Sequence, residues 1–200
     1  MTSRDALNQA KAFISAEADA LFHLAQSLNR SFMLAESILW TCRGKVIVTG
    51  MGKCSHVGRK IAATFQSTGT RAAFLHPAEA AHGDMGMIGD NDVVLALSNS
   101  GETDEVKGVL AYALRQGLET VAITSKAHST LAMRAKIAVI LPDVPEGCPI
   151  NKAPMASAVM MMALGDAFAA RMMVKRGFTA DDFCDLHHGG YLGRRLEAVA

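Results

Sequence analysis

The chain has 200 residues, half of them apolar and a fifth charged, proportions that suit a folded globular protein and exclude intrinsic disorder, a collagen-like repeat or a disulfide-rich miniprotein. Twenty Lys and Arg against nineteen Asp and Glu leave a formal charge of +1, so no basic field points to nucleic acid or anionic lipid, and any electrostatic role is local. The apolar stretches read as interrupted before the roughly 18 residues a bilayer demands, and Met1 to Asp5 lacks the order of a signal peptide, so the expectation is a soluble cytoplasmic protein.

From Asp5 to Ile38 apolar residues recur at three- and four-residue steps (Leu7, Ala10, Phe13, Ile14, then Leu21, Leu24, Ala25, Leu28), which predicts one long helix or two shorter ones. Lys45 to Gly50 is a short apolar run ending in glycine. Val57 to Phe65 has helical spacing, Arg71 to His76 is extended, and His76 to Met87 reads as a long loop. Asp92 to Leu97 predicts a third strand, Glu102 to Gln116 a helix closed by Gly117, and Glu119 to Thr124 a fourth strand. A short helix near Ser129 and a fifth strand from Lys136 to Leu141 follow. Beyond a proline-bearing loop, Asp143 to Lys152, comes an apolar helix from Ala156 to Lys175 ended by Gly177. Thr179 to Asp185 predicts a shorter helix, and His187 to Gly193 is polar and glycine-rich. Near-continuous Val, Ile, Leu and Ala strands alternating with helices imply an α/β fold, a three-layer doubly wound five-stranded parallel sheet. No repeat or linker divides the chain, so 1–200 is expected to be a single domain with the helical segment 1–43 packed on it.

Cys42, Cys54, Cys148 and Cys184 are scattered without C-x-x-C spacing and read as free thiols. The seven histidines show no paired spacing that would converge on zinc, so no metal ligands are assigned. The methionines between Met155 and Met173 read as core or subunit-interface filling.

In open α/β sheets ligands sit where loops leave the carboxyl ends of strands. Three such places carry chemistry. Gly50-Met51-Gly52-Lys53-Cys54-Ser55 is a strand-to-helix turn in which glycine lets the backbone approach a ligand and Lys53 supplies a cation. It is not a dinucleotide fingerprint, because Ser55 stands where the third glycine belongs. Nor is it a P-loop, since Ile47 and Cys54 occupy positions that demand Gly and Ser or Thr. Ser98-Asn99-Ser100-Gly101-Glu102-Thr103 lies between a strand and a helix, where hydroxyls and free amides make an anion cradle. A plain cap would need one such residue and this segment offers four. Acid–base capable side chains form the third group: His76, His82, Glu105, Glu146, His187 and His188, types that move protons between carbon and oxygen near neutral pH.

These strings together resemble a known family. Gly50 to Lys53, the segment His76-Pro77-Ala78-Glu79-Ala80-Ala81-His82-Gly83-Asp84-Met85-Gly86-Met87, the cradle Ser98 to Thr103, the loop Glu146-Gly147-Cys148-Pro149, and Gly177 to Phe183 followed by His187 to Leu196 are similar to the sugar isomerase (SIS) domain of D-arabinose 5-phosphate isomerases. The resemblance runs from Gly44 to Leu196 and implies a flavodoxin-like five-stranded parallel sheet and a homotetramer with shared active sites. It also implies a reaction without metal or organic cofactor: interconversion of D-ribulose 5-phosphate and D-arabinose 5-phosphate through a cis-enediol, on the route to an acidic sugar of lipopolysaccharide and some capsules. Position by position, Lys53, His82, Glu105, Glu146 and His187 fall on the family's catalytic set. Gly52, Ser55, Ser98, Asn99, Ser100 and Thr103 fall on the substrate-binding positions, the cradle members among them holding the phosphate. The expected carbon base is Glu146, with Lys53 and a histidine near the oxygens, although Glu105 or His187 could exchange roles with it.

The sequence departs from the pattern at Cys54, which replaces a usual serine, at Pro154-Met155-Ala156-Ser157-Ala158, which replaces a hydroxyl-rich stretch, and at His188, which replaces a proline. It ends near Leu196 and so resembles the short members that lack paired CBS regulatory domains. Two other readings share the same residues: a non-catalytic sensor of a phosphosugar or sugar nucleotide, and an isomerase for a different phosphosugar.

Overall fold

The computed structural model describes residues 2–188. Two helices, α1 (Ser3–Ser27) and α2 (Arg30–Trp40), precede a regular alternation. The strands are β1 (Val46–Gly50), β2 (Ala72–Leu75), β3 (Val93–Leu97), β4 (Glu119–Thr124) and β5 (Ile137–Ile140). Interleaved with them are α3 (Lys53–Ser67), α4 (Pro77–Ala80), α5 (Asp104–Arg115) and α6 (Thr130–Arg134), after which α7 (Ala156–Arg176) and α8 (Ala180–His187) close the described chain. All pairings are parallel and the sheet order is β2-β1-β3-β4-β5. The chain therefore turns one way after β1 and the other way into β3. A crevice opens where the loops after those two neighbours diverge.

Alternation along the strands fixes the layers. Val46, Val48, Leu95 and Leu97 face one cluster with α2, α3 and α7. Ile47 and Val94 face a second with α4 and α5, and Ala96 and Ala122 a third with α5 and α6. Helix α3 reaches the sheet through Gly58, where an added Cβ would lie 2.9 Å from the Phe74 ring. Helix α7 then lies on α3, with Gly165 against Ile61. Phe168 of α7 stacks on Phe32 of α2 at 4.7 Å between ring centroids, and the buried Glu36 of α2 pairs with Arg171 and Lys175.

Three differences from the expectations have physical reasons. The segment His76 to Met87 is not wholly loop: Pro77 starts the one-turn α4, its fixed φ suiting a first helical position, and Asp84–Met87 forms a 3-10 turn. Helix α5 begins at Asp104 rather than Glu102, because Glu102 turns back to accept hydrogen bonds from Thr130 N (2.5 Å) and Thr130 Oγ1 (2.8 Å) and joins α6 to the cradle. Helix α7 holds a window of mean hydropathy 1.4, apolar and long enough by composition to cross a membrane, so the expectation that every stretch falls short is corrected. Met160, Leu164, Phe168 and Met172 of that helix are buried against α3 and the sheet, which makes it a core helix here. The glycine-rich motif beyond His188 lies outside the described residues.

Candidate active site

A cavity of about 300 Å³ opens at the carboxyl ends of β1 and β3, the crevice that the strand order dictates. One wall is polar, formed by Ser98, Asn99, Ser100 and Thr103, with Lys53 at its edge. The opposite wall is formed by Cys54, Val57, Pro154, Ser157, Ala158 and Met161. Lys53 is the first residue of α3 and is exposed. It is held there by Gly52, whose φ of 59° and ψ of −128° belong to glycine and whose Cα faces open space. A side chain at Gly52 would meet a backbone penalty before any steric one.

The cradle is built from the end of β3. Ser98 Oγ lies 2.9 Å from Thr103 Oγ1 and accepts from Gly101 N at 3.1 Å, and Ser100 Oγ accepts from Glu102 N at 3.2 Å. Gly101 takes φ of 68° so that the turn can close against Ser129. Thr103 occupies the N-cap position of α5 and makes no side-chain cap bond. Its hydroxyl is spent on Ser98, so the first turn of a 12-residue helix is left uncapped by its own N-cap side chain, and Thr103 itself lines the cavity. Amides at a helix start and rotatable hydroxyls are the donors an anion needs.

Glu146 approaches from the loop after β5. Its Oε2 accepts from Met155 N (2.8 Å) and Ser157 N (3.0 Å), which fastens it over the start of α7, while its own N–H donates to Asn151 Oδ1 at 2.7 Å. Asn151 supports that loop with φ of 49°. Among the described residues Oε1 has no hydrogen-bond partner, so one carboxylate oxygen is anchored and the other is available. The Cys54 thiol is pushed above its ordinary range by burial, with a smaller push from the Glu146 carboxylate.

The structure brings Lys53, Ser98, Asn99, Ser100 and Thr103 together on one cavity, with Glu146 adjoining through Ser157. It does not bring the others there. Ser55 is buried and donates its Oγ to Gly52 O at 2.7 Å, a bond that shapes the turn. Glu105 is exposed in the first turn of α5, and His82 is exposed just after α4. His187 stacks on Phe183 at 3.8 Å and bonds Phe183 O through Nδ1 at 2.8 Å. Its neighbour Leu186 lies with Lys45, Gly69 and Ala72 at the amino edge of β1 and β2. Five residues of β1 at roughly 3.3 Å each put that edge about 16 Å from the cavity.

Met161 and Ser157 are site residues that sequence reasoning missed. They reach the cavity because they stand four apart on α7, one helical turn, at the end where the helix meets the sheet. That spacing is readable in the sequence, but the facing partner is not.

The sequence profile of the SIS domain matches residues 38–171. The chain is 46% identical over 192 residues to the arabinose 5-phosphate isomerase KdsD of Pseudomonas aeruginosa, covering 96% of this chain and 59% of that protein. It is 44% identical over 186 residues to KdsD of Escherichia coli K12, covering 93% and 57%. The chain thus spans less than two thirds of the length of these curated relatives. Among solved structures, E. coli CFT073 c3406 in complex with arabinose 5-phosphate superposes with a TM-score of 0.88 at 36% identity over 92% of this chain and 97% of that one. The Vibrio vulnificus NanR protein complexed with ManNAc-6P shares the fold, with a TM-score of 0.75 at 19% identity over 95% and 67%. The matched profile, together with a likeness at 36% identity over 92% of the chain, establishes that this chain belongs to the SIS domain family.

Proposed function

We propose that this protein is an aldose–ketose isomerase that interconverts D-ribulose 5-phosphate and D-arabinose 5-phosphate. The observation that carries the reading is a single cavity with a hydroxyl-lined helix start on one side and, adjoining it, a carboxylate with one free oxygen and a lysine. The relatives named arabinose 5-phosphate isomerase, and the c3406 structure with arabinose 5-phosphate bound, supply the substrate class.

The phosphate sits among Ser98, Ser100 and Thr103 at the start of α5, where hydroxyls and helix amides neutralise it without a metal. Holding the tail fixes a linear pentose with its first two carbons toward Glu146 and Lys53. In the ketose-to-aldose direction Glu146 Oε1 takes a proton from C1, a cis-enediol forms, the proton on the carboxyl exchanges with solvent while the enediol is held, and the same oxygen delivers a proton to C2. Lys53 stabilises the negative charge that develops on the carbonyl oxygen. The proton exchanged between the two oxygens needs a further group, and His187 of a second copy is assigned to it. Glu105 and His82 are proposed to face that same shared site. The working form is therefore a cytoplasmic homotetramer, each chain being a single unit over 1–200, and its product serves lipopolysaccharide or capsule assembly.

The test is to incubate the purified protein with D-ribulose 5-phosphate in deuterated water and to follow arabinose 5-phosphate and carbon-bound deuterium by NMR. The expected result is product carrying deuterium at C2. Binding of the sugar without exchange at carbon would overturn the isomerase in favour of a phosphosugar sensor.

A further inference from the structure

Glu146 sits in a stretch that core packing does not hold. Between the buried Leu141 just after β5 and the buried Ala156 at the start of α7, no residue of 142–155 is buried, and 149–155 are all exposed. A carboxylate that must meet one carbon atom needs its backbone fixed to a fraction of an ångström, so hydrogen bonds have to supply what a core does not. They converge on two side chains. Asn151 N–H donates to Cys148 O at 2.9 Å and closes the turn 148–151, with Pro149 at its second position, where a fixed φ is suited. Lys152 N and Ala153 N then donate to Cys148 Sγ at 3.1 and 3.2 Å, which turns the chain back toward α7. Asn151 has φ of 49° and is the one left-handed non-glycine residue among those described, a conformation asparagine tolerates better than most side chains. From there its Oδ1 accepts the Glu146 N–H at 2.7 Å. A backbone N–H only donates, so the atom facing it is the oxygen of the amide.

We propose that Asn151 is a positioning residue for the reaction: its left-handed turn and its side-chain acceptor hold the Glu146 main chain so that the carboxylate is aimed at the sugar. Among the described residues Glu146 is gripped at its N–H by Asn151 Oδ1, at its carbonyl by Ala156 N at 3.4 Å, and at Oε2 by Met155 N and Ser157 N. The grips from the start of α7 act on the carbonyl and on one carboxylate oxygen. Asn151 restrains the other side of the residue, and without it the peptide that enters Glu146 can swing about those two points. Asn151 does not line the cavity and acts through Glu146. This role rests on the reading of Glu146 as the carbon base and extends it to the loop that carries the base.

The test measures kcat, KM and melting temperature with D-ribulose 5-phosphate for the parent, Asn151→Gly, Asn151→Asp and Glu146→Gln. Glycine keeps the left-handed turn and removes the acceptor, whereas aspartate keeps both. Asn151→Gly should lose roughly ten- to a hundredfold in kcat, the cost of misplacing a reacting group by about an ångström. Its KM should stay within about threefold of the parent's, because the cradle still holds the phosphate. Its melting temperature should stay within about 4 °C of the parent's, since one exposed loop bond adds little to global stability. Asn151→Asp, assayed at the pH of its own maximal rate because a second carboxylate nearby raises the range of the first, should recover kcat to within about threefold of the parent. Parent-like kcat in Asn151→Gly, with Glu146→Gln inactive, overturns the positioning role and leaves the base in place. An Asn151→Asp as slow as Asn151→Gly shows that the acceptor is not what matters and overturns the role as well. A parent without turnover, or a Glu146→Gln as fast as the parent, overturns the carbon base that Asn151 is proposed to position, and the proposal with it.

Discussion

The proposed mechanism gives the two oxygens of Glu146 different jobs, and substitutions separate them. Oε2 accepts the Met155 and Ser157 amides at the start of α7, and Oε1 carries no bond among the described residues. Glu146→Gln keeps an oxygen for those amides but cannot take a proton from carbon. Its expected signature is a fall in kcat of about 10²–10⁴-fold, the range for losing a general base, with KM and the melting temperature close to the parent's. Glu146→Ala loses the cap as well, at roughly 1–2 kcal/mol, which for a protein of this size lowers the melting temperature by about 2–8 °C. Calorimetry and initial-rate kinetics on the two variants check this. If Gln matches the parent in kcat, Glu146 is a structural cap only. The sequence identified Glu146 as acid–base capable and left its supports invisible, because Met155 and Ser157 contribute backbone amides, which have no residue signature.

Helix α3 is the element that carries Lys53, and its position depends on two close approaches. A Cβ added at Gly165 of α7 would lie 2.4 Å from Ile61 Cγ1 and 2.6 Å from its Cδ1, and Ile61 is fully buried and branched at Cβ, so it has little room to turn. Gly165→Ala gains up to about 1 kcal/mol of helix propensity and incurs about 1–3 kcal/mol of overpacking. The net expectation is a lower melting temperature together with a loss of kcat as α3 shifts Lys53. Ile61→Ala removes the clashing atoms, so Gly165→Ala/Ile61→Ala should be less destabilised than the sum of the single variants. Additive losses in a double-mutant cycle by urea titration would show that the two positions do not press on each other. At this scale the strands were legible because runs such as Val46 to Val48 and Val93 to Leu97 are buried on both faces, and Gly177, with φ of 63°, marked the end of α7. The one-turn α4 was not, since four residues are too few to establish a period. Asp166 and Arg171 disguised how apolar α7 is as a whole.

The described chain leaves Leu7 (55% exposed) and Ile14 (69%), two residues of the periodic pattern that predicted the helix, and Phe22 (64%) uncovered along α1. In the proposed oligomer this apolar face, uncovered among the described residues, is a surface a second copy would bury. The proposed sharing of sites asks the same of His187, because its neighbour Leu186 lies at the amino edge of the sheet while the cavity opens at the carboxyl edge. Sequence order could put His187 in the catalytic set through resemblance but could not say in which copy it acts, since that is a matter of distance. If sites are shared in the proposed tetramer, Glu146→Gln and His187→Ala are each inactive for different halves of one site. Co-expressed in equal amounts and assembled at random, they leave about a quarter of the sites with Glu146 from one copy and His187 from the other both intact. The mixed protein should therefore recover about a quarter of the parent's kcat at unchanged KM, while each variant alone stays near zero. Mixing after separate purification should restore nothing until the assembly is allowed to exchange subunits. Recovery absent from co-expressed, mass-verified mixed oligomers would put Glu146 and His187 to work within one copy and overturn the sharing of sites.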